Sequence, residues 1–157
     1  MPLKMNYEQF KERLIKSQEA VELFKEYFEK HGYDAYMPDL VIAPHTVGAF
    51  SKYADKGDLF ITKDGETLII EIKHSGITFN LTNWPYKTMI VNSYTGYNSK
   101  DPKPNVHIIL SKDKSHFASI RDETNDKWIL ERKFDKYKQK DLLFYSVDIE
   151  YVKFFKL

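Results

Sequence analysis

Asp58-Leu59-Phe60-Ile61-Thr62-Lys63-Asp64-Gly65-Glu66-Thr67-Leu68-Ile69-Ile70-Glu71-Ile72-Lys73 is the stretch that decides how this chain folds. Two apolar runs, 58–62 and 67–73, flank Lys63-Asp64-Gly65-Glu66. Asp-Gly between such runs signals a two-residue type I′ hairpin, because both central residues of that turn need positive φ. A loop of Asp64-Gly65 makes cross-strand partners of residues whose numbers sum to 129. Thr62 then faces Thr67, Phe60 faces Ile69 and Asp58 faces Glu71, with Cβ atoms about 4.5–5.5 Å apart. Lys73 lies two residues beyond Glu71 and projects from the same face.

Two carboxylates opposite one another destabilise a sheet, so something should compensate for Asp58 and Glu71. Two readings stand on the residues alone. A divalent cation, Mg²⁺ or Mn²⁺, suits the hard oxygen donors, with the backbone carbonyl of Ile72 as a third ligand. Alternatively, the pair is solvated at the end of the sheet and partly neutralised by Lys73.

Working outward, Tyr7, Phe10, Leu14, Val21, Phe24 and Phe28 recur at helical spacing, which predicts a helix from Tyr7 to His31 stopped by Gly32. Residues 35–43 read as an edge strand because of Pro38, and 44–57 as a loop. After the hairpin, Thr82 or Asn83 caps a second expected helix, with Pro85 in its first turn and a body to Tyr94. Its buried stripe would be Tyr86, Ile90, Tyr94 and Tyr97. Val106–Leu110 and His116–Ile120 read as strands joined by Lys112-Asp113-Lys114, Trp128–Tyr137 as a short helix, and Leu142–Val147 and Tyr151–Phe155 as strands. The order predicts an α/β protein with a mixed central sheet flanked by helices.

The length of 157 residues suits one domain, expected over 1–157. With no cysteine, disulfides and thiolate metal sites are excluded. No apolar run has the length of a signal peptide or membrane span, so a cytoplasmic protein with no membrane partner is expected. Net charge is only +1, but residues 1–40 carry 6 Lys/Arg against 8 Asp/Glu, whereas 100–140 carry 11 against 7. A polyanion would favour the second region. Its run Arg132-Lys133, Lys136, Lys138 and Lys140 is interleaved with Phe134 and Tyr137, a pattern that suits either a nucleic-acid backbone or the solvated face of a helix. His74 points to the opposite face from Lys73, and Lys87 reads as solvated. His45, His107 and His116 show no ligand spacing and read as structural.

Gly57-Asp58 followed by Glu71-Ile72-Lys73 resembles the D…ExK core of the PD-(D/E)XK nucleases, with Leu59–Ile61 and Leu68–Ile70 where that family places central strands. The literal Pro-Asp is absent, since Lys56-Gly57 precedes Asp58. The resemblance covers roughly residues 7–121 and implies a restriction endonuclease-like αβββαβ core. It further implies a metal-dependent phosphodiester hydrolase. Asp58, Glu71 and the Ile72 carbonyl would hold Mg²⁺ or Mn²⁺, and Lys73 would position the attacking water. The tail is laid out like small type II restriction enzymes. Holliday-junction resolvases of archaeal type carry a further glutamate on the first helix, but Glu19 and Glu22 point away on an ideal wheel. DNA is expected ahead of RNA, and a two-fold homodimer would suit duplex cutting. Abundant Lys, Asn, Tyr and Phe suit an AT-rich genome, and a small stand-alone nuclease suits a phage or mobile element. An inactive nucleic-acid-binding module of the same fold, an RNA-directed nuclease, or a small α/β assembly protein are the alternatives. Only the first two retain a nucleic-acid partner, and only the RNA nuclease retains metal-dependent cleavage.

Overall fold

The Asp64-Gly65 turn forms as its residue types require, with φ of 52° at Asp64 and 79° at Gly65. It joins β2 (Leu59–Lys63) to β3 (Glu66–His74) in the antiparallel register Leu59↔Ile70, Phe60↔Ile69, Ile61↔Leu68, Thr62↔Thr67 and Lys63↔Glu66. Each pair sums to 129, the register that the two-residue loop predicts. The computed structural model describes residues 7–38, 58–135 and 138–157. Nothing lies within 4 Å of a Cβ built on Gly65, so only its backbone conformation resists substitution. Gly65→Ala is expected to cost about 1 kcal/mol, read as a lower urea midpoint. An unchanged midpoint would mean that another turn geometry supports the hairpin equally well.

The hairpin lies within a six-stranded mixed sheet ordered β1-β2-β3-β5-β6-β9, where β1 is Asp34–Tyr36, β5 Val106–Leu110, β6 His116–Arg121 and β9 Lys153–Lys156. Neighbours pair antiparallel except β3 and β5, which run parallel. Parallel strands need a crossover, and here it contains β4 (Thr88–Ser93) and α2 (Tyr94–Asn98). All five residues of β5 are buried, as expected of a parallel-paired strand covered on both faces.

One face of this sheet is covered by α1 (Tyr7–Lys30), whose Ala20, Val21 and Phe24 pack with Leu59, Ile61, Ile70, Ile72, Ile108 and Phe117. Gly32, at φ 88°, ends the helix. Gly32 N–H donates to Glu29 O at 3.1 Å and Tyr33 N–H to Phe28 O at 3.0 Å, the paired bonds of a Schellman motif. The Tyr33 and Phe28 rings meet edge to face at 5.5 Å, completing its apolar contact. Against the other face lies a three-stranded sheet, β4-β8-β7, with β7 at Ile129–Asp135 and β8 at Lys140–Asp148. Its Met89, Val91 and Val147 pack with Ile109, Ala118 and Ile120. No helix among the described residues is long and apolar enough to cross a membrane.

Three sequence expectations fail: the helices over 83–94 and 128–137, and with them the helical layer on the second face of the sheet, which the β4-β8-β7 sheet covers instead. The helix over 83–94 is absent: β4 occupies Thr88–Ser93, and α2 begins at Tyr94 behind the Ser93 cap, which accepts from Gly96 N–H. Asn80 and Asn83 explain the missing start. The Asn80 side chain accepts from the N–H groups of Thr82 and Asn83, and Asn83 accepts from Asn80 N–H. Such local bonds compete with helix formation, and the β-branched Thr88, Ile90 and Val91 then favour a strand. Of the expected stripe, Tyr86, Ile90 and Tyr94 are exposed and only Tyr97 is buried.

The helix over 128–137 is likewise replaced, by β7, which pairs with β8 from Ile129↔Ser146 to Asp135↔Lys140. β7 is largely exposed on both faces, so no alternation of apolar and polar residues marks it as a strand. The expected strand over Tyr151–Phe155 is present as β9, which starts two residues later, at Lys153, after a 3-10 turn over Ile149–Tyr151. The edge strand over 35–43 is present as β1 over Asp34–Tyr36, whereas 39–43 and the expected loop 44–57 lie outside the described residues.

Candidate active site

Odd-numbered residues of β3 and β5 face away from α1, so Glu71 and Lys73 project toward the smaller sheet. The parallel register sets Glu71 beside His107 and Lys73 beside Ile109. Glu71 is 7% exposed and its carboxylate is fully engaged. Oε1 lies 2.6 Å from Lys100 Nζ. Oε2 accepts from Asn92 Nδ2 at 2.8 Å and contacts His107 Nε2 at 3.2 Å. Asn92, Lys100 and His107 are all nine-tenths or more buried. Lys73 is half-buried, with Nζ 3.3 Å from both Val91 O and Asn92 Oδ1. One asparagine thus bridges the glutamate and the lysine of the ExK triplet.

Asp58 is placed differently from the expected face-to-face pair. Its N–H donates to Ile70 O at 3.0 Å, although Ile70 is already the partner of Leu59, so the register slips just before β2 and Asp58 does not come opposite Glu71. Its Oδ2 then accepts from the backbone N–H of Ile72 at 2.8 Å. The Asp58 carboxylate therefore reaches the residue between Glu71 and Lys73 from the β2 side, while Glu71 turns toward β4 and β5. The sequence brings Asp58, Glu71 and Lys73 to one end of β3.

Burial pushes the Glu71 carboxyl up, but the His107 hydrogen bond and the Lys73 and Lys100 charges outweigh it and hold it down to about 2. Burial pushes the His107 imidazole below its ordinary 6.5, with Glu71 opposing. His107 is therefore neutral near pH 7 and meets Glu71 as an Nε2–H donor, so the contact is a hydrogen bond rather than an ion pair. Both shifts have the same sign in linkage. The unfolded chain binds these protons more readily, so stability is highest above pH 6.5, where neither group takes up a proton. Acidification is expected to erode stability first below about 6.5 through His107, then below about 4.5 through Glu71. Urea midpoints from pH 8 to pH 3 check this. A profile flat down to pH 4 would show that the cluster does not govern acid lability.

Beside His107 stands an aromatic wall. The Tyr97 ring lies 6.0 Å from His107, 5.1 Å from Trp128 and 5.5 Å from Tyr145. Its hydroxyl donates to Asp122, and burial pushes its pKa up. Tyr145 pairs with both Asn92 and Leu130, so one face of the small sheet leads from the cluster to Leu130, Arg132 and Phe134. That strand now separates Arg132 and Phe134 from Lys133, which a helix would not have done.

The remaining expectations divide as follows. His74 lies away from the cluster, with Nε2 3.1 Å from Lys112 O, and His116 contacts Ser115 Oγ at 2.7 Å. His45 lies outside the described residues. Glu19 and Glu22 are exposed on α1, the helix that covers the opposite face of the sheet. Lys87 is exposed. Asn92, Lys100 and His107 were missed as site residues. A histidine inside the apolar run Val106–Leu110 was a usable signal, whereas Lys100 sits in a polar loop that announces nothing.

Among the described residues, no three Asp, Glu or His side chains are gathered to hold a metal ion. The oxygen donors of Asp58 and Glu71 have the right chemistry for a hard divalent cation. As arranged they do not fit one, because both Glu71 oxygens are occupied and Asp58 Oδ2 is bonded to Ile72 N–H. No protein-family model matches the chain, and no curated protein matches it.

Proposed function

We propose that the chain is a PD-(D/E)XK-type nuclease with a restriction endonuclease-like core, acting on phosphodiester bonds of DNA ahead of RNA and needing Mg²⁺ or Mn²⁺. The observation that carries this reading is an ionised Glu71 and Lys73 on one face of β3, with the Asp58 carboxylate bonded to the Ile72 N–H between them. The order α1, β1, β2, β3, β4, α2, β5, with β3 and β5 parallel, supports the reading in part, since it resembles the αβββαβ plan of that family with an extra strand, β4, ahead of the five-residue α2. In this reading Lys73 meets the scissile phosphate and stabilises charge that grows on its oxygens during attack. Asn92 holds the Lys73 ammonium beside Glu71, and the Lys100, Asn92 and His107 contacts fix Glu71 in one orientation. Cutting both strands of a duplex would call for two copies of the chain about a two-fold axis.

A second reading is favoured by the occupancy of Glu71: a nucleic-acid-binding module that does not cleave, since fold does not guarantee chemistry. The separating experiment offers plasmid, linear duplex, single-stranded and branched DNA, and RNA, with Mg²⁺, Mn²⁺ or EDTA. Asp58→Ala and Lys73→Ala run beside the wild type. Cleavage that EDTA and both substitutions abolish is expected. Binding without cleavage of any substrate would replace the nuclease by the binding module.

A further inference from the structure

Four strands form the edges of the two sheets, β1 and β9 of the larger, β4 and β7 of the smaller. Three of them are blunted. β1 has three residues and β9 has four, and shortness protects an edge from pairing with another chain. β4 is interrupted by a bulge between Ile90 and Asn92, a second common protection. β7 has neither device. It runs seven residues in unbroken register with β8, and its outer edge pairs with no other strand among the described residues. It is also apolar where an edge is normally charged, with Ile129 50% exposed, Leu130 51% and Phe134 62%. An unbulged edge of this length and apolarity is a template for a further strand.

We infer that β7 pairs antiparallel with β7 of a second copy of the chain about a two-fold axis, joining the two small sheets into one. The residues of the strand select both partner and register. An axis through Arg132 sets Leu130 opposite the partner's Phe134, and Phe134 opposite the partner's Leu130, on one face. On the other face Glu131 comes opposite the partner's Lys133, and Lys133 opposite the partner's Glu131. Lys133 Nζ already lies 3.7 Å from Glu131 Oε2 within one copy, so the four groups form a square of alternating charge. Moving the axis by one residue destroys this match. Through Glu131, it sets Leu130 against the partner's Arg132 and Ile129 against the partner's Lys133. Through Lys133, it sets Glu131 against the partner's Asp135 and Phe134 against the partner's Arg132. The matched register leaves one like-charge contact, Arg132 against the partner's Arg132. Arg132 is exposed, and Asp141 stands diagonally from it on β8, on the same face, within reach of a long side chain. Exposed ion pairs add little affinity. They select the register, while strand hydrogen bonds and the burial of Leu130 and Phe134 hold the copies together. This dimer follows from the edge strand whether or not the chain cleaves DNA, and it supplies the second copy that duplex cutting calls for.

Sedimentation equilibrium of the full chain is the test. The wild type is expected to reach twice the chain mass as concentration rises and to stop there, because the other edges are blunted. Phe134→Lys changes an exposed residue and is expected to weaken the dimer about tenfold or more. Glu131→Lys and Lys133→Glu each set like charges opposite one another twice, and each alone is expected to be a monomer. Mixed in equal amounts, the two are expected to dimerise, because every opposing pair is again of unlike charge. Glu131 also accepts from the buried Ser146 hydroxyl, so should Glu131→Lys fail to fold, Phe134→Lys decides. A wild type that stays monomeric, one that assembles beyond the dimer, a dimer that Phe134→Lys leaves as tight as before, or a mixture of folded charge variants that stays monomeric overturns the inference. None of these outcomes touches the nuclease reading, which the cleavage assay tests separately.

Discussion

Glu71→Ala is expected to lower stability by about 3–5 kcal/mol, the range for removing one partner of a buried ion pair. The loss follows from what the substitution strands. Lys100, whose side chain is 3% exposed, keeps its charge in the protein interior with no carboxylate at 2.6 Å. Asn92 Nδ2 and His107 Nε2 lose their common acceptor, and an unsatisfied buried donor adds its own desolvation penalty. A double substitution separates charge burial from lost packing. Glu71→Leu with Lys100→Met removes both charges at similar volume and is expected to recover most of the loss, since an apolar pair avoids the desolvation of two ions. Urea unfolding of the single and double variants provides the measurement. A Glu71→Ala cost below about 1 kcal/mol would mean that Lys100 relaxes to water in the variant. The loop position of Lys100 would then matter more than its burial.

The parts of the structure that sequence reasoning reached are those fixed by local rules. Asp64-Gly65 selects one turn type, and that turn fixes the register from Leu59↔Ile70 to Lys63↔Glu66 without knowledge of any other element. Gly32 ends α1 through bonds that span only a few residues. Where reasoning failed, the deciding partner is remote. Thr88–Ser93 becomes a strand because β8 lies beside it, yet β8 begins at Lys140. The helical spacing of Tyr86, Ile90 and Tyr94 was coincidence, and their exposure removes the burial that would have given it meaning.

The site divides along the same line. Glu71 and Lys73 share a face of β3 as strand alternation requires, whereas Asp58 meets the Ile72 N–H instead of facing Glu71. His107 joins Glu71 only through the parallel pairing of β3 with β5, and Lys100 only through the packing of the loop after α2. Parallel pairing follows from tertiary assembly, and hydrophobic pattern does not encode which residue will stand beside which. The like-charge repulsion expected between Asp58 and Glu71 is answered by protein groups: a backbone N–H for one and a lysine for the other. Compensation was required by the physics, and its identity was left open by the residues.

Lys73→Ala is expected to reduce cleavage about 10²–10³-fold, the scale for losing one preorganised group aimed at developing charge, while leaving the fold nearly intact. Its hydrogen bonds to Val91 O and Asn92 Oδ1 are both long at 3.3 Å, and its charge also acts on Glu71. Lys73 is only half-buried, so its removal is expected to cost less stability than that of the buried Glu71. One ExK residue is buried in the interior and the other is half-buried, so the two substitutions are expected to separate stability from activity. A group that acts mainly in the transition state lowers kcat while KM changes little. Lys73→Arg is expected to restore little of the rate. The planar guanidinium is longer than the ammonium and cannot take the same point-charge position between Val91 and Asn92. Single-turnover and steady-state rates on the substrate found by the cleavage assay, with urea midpoints alongside, test the pair of statements. A Lys73→Ala enzyme within about threefold of wild type would remove Lys73 from the chemistry. A large stability loss would recast it as a second structural cation beside Glu71, on the footing of Lys100.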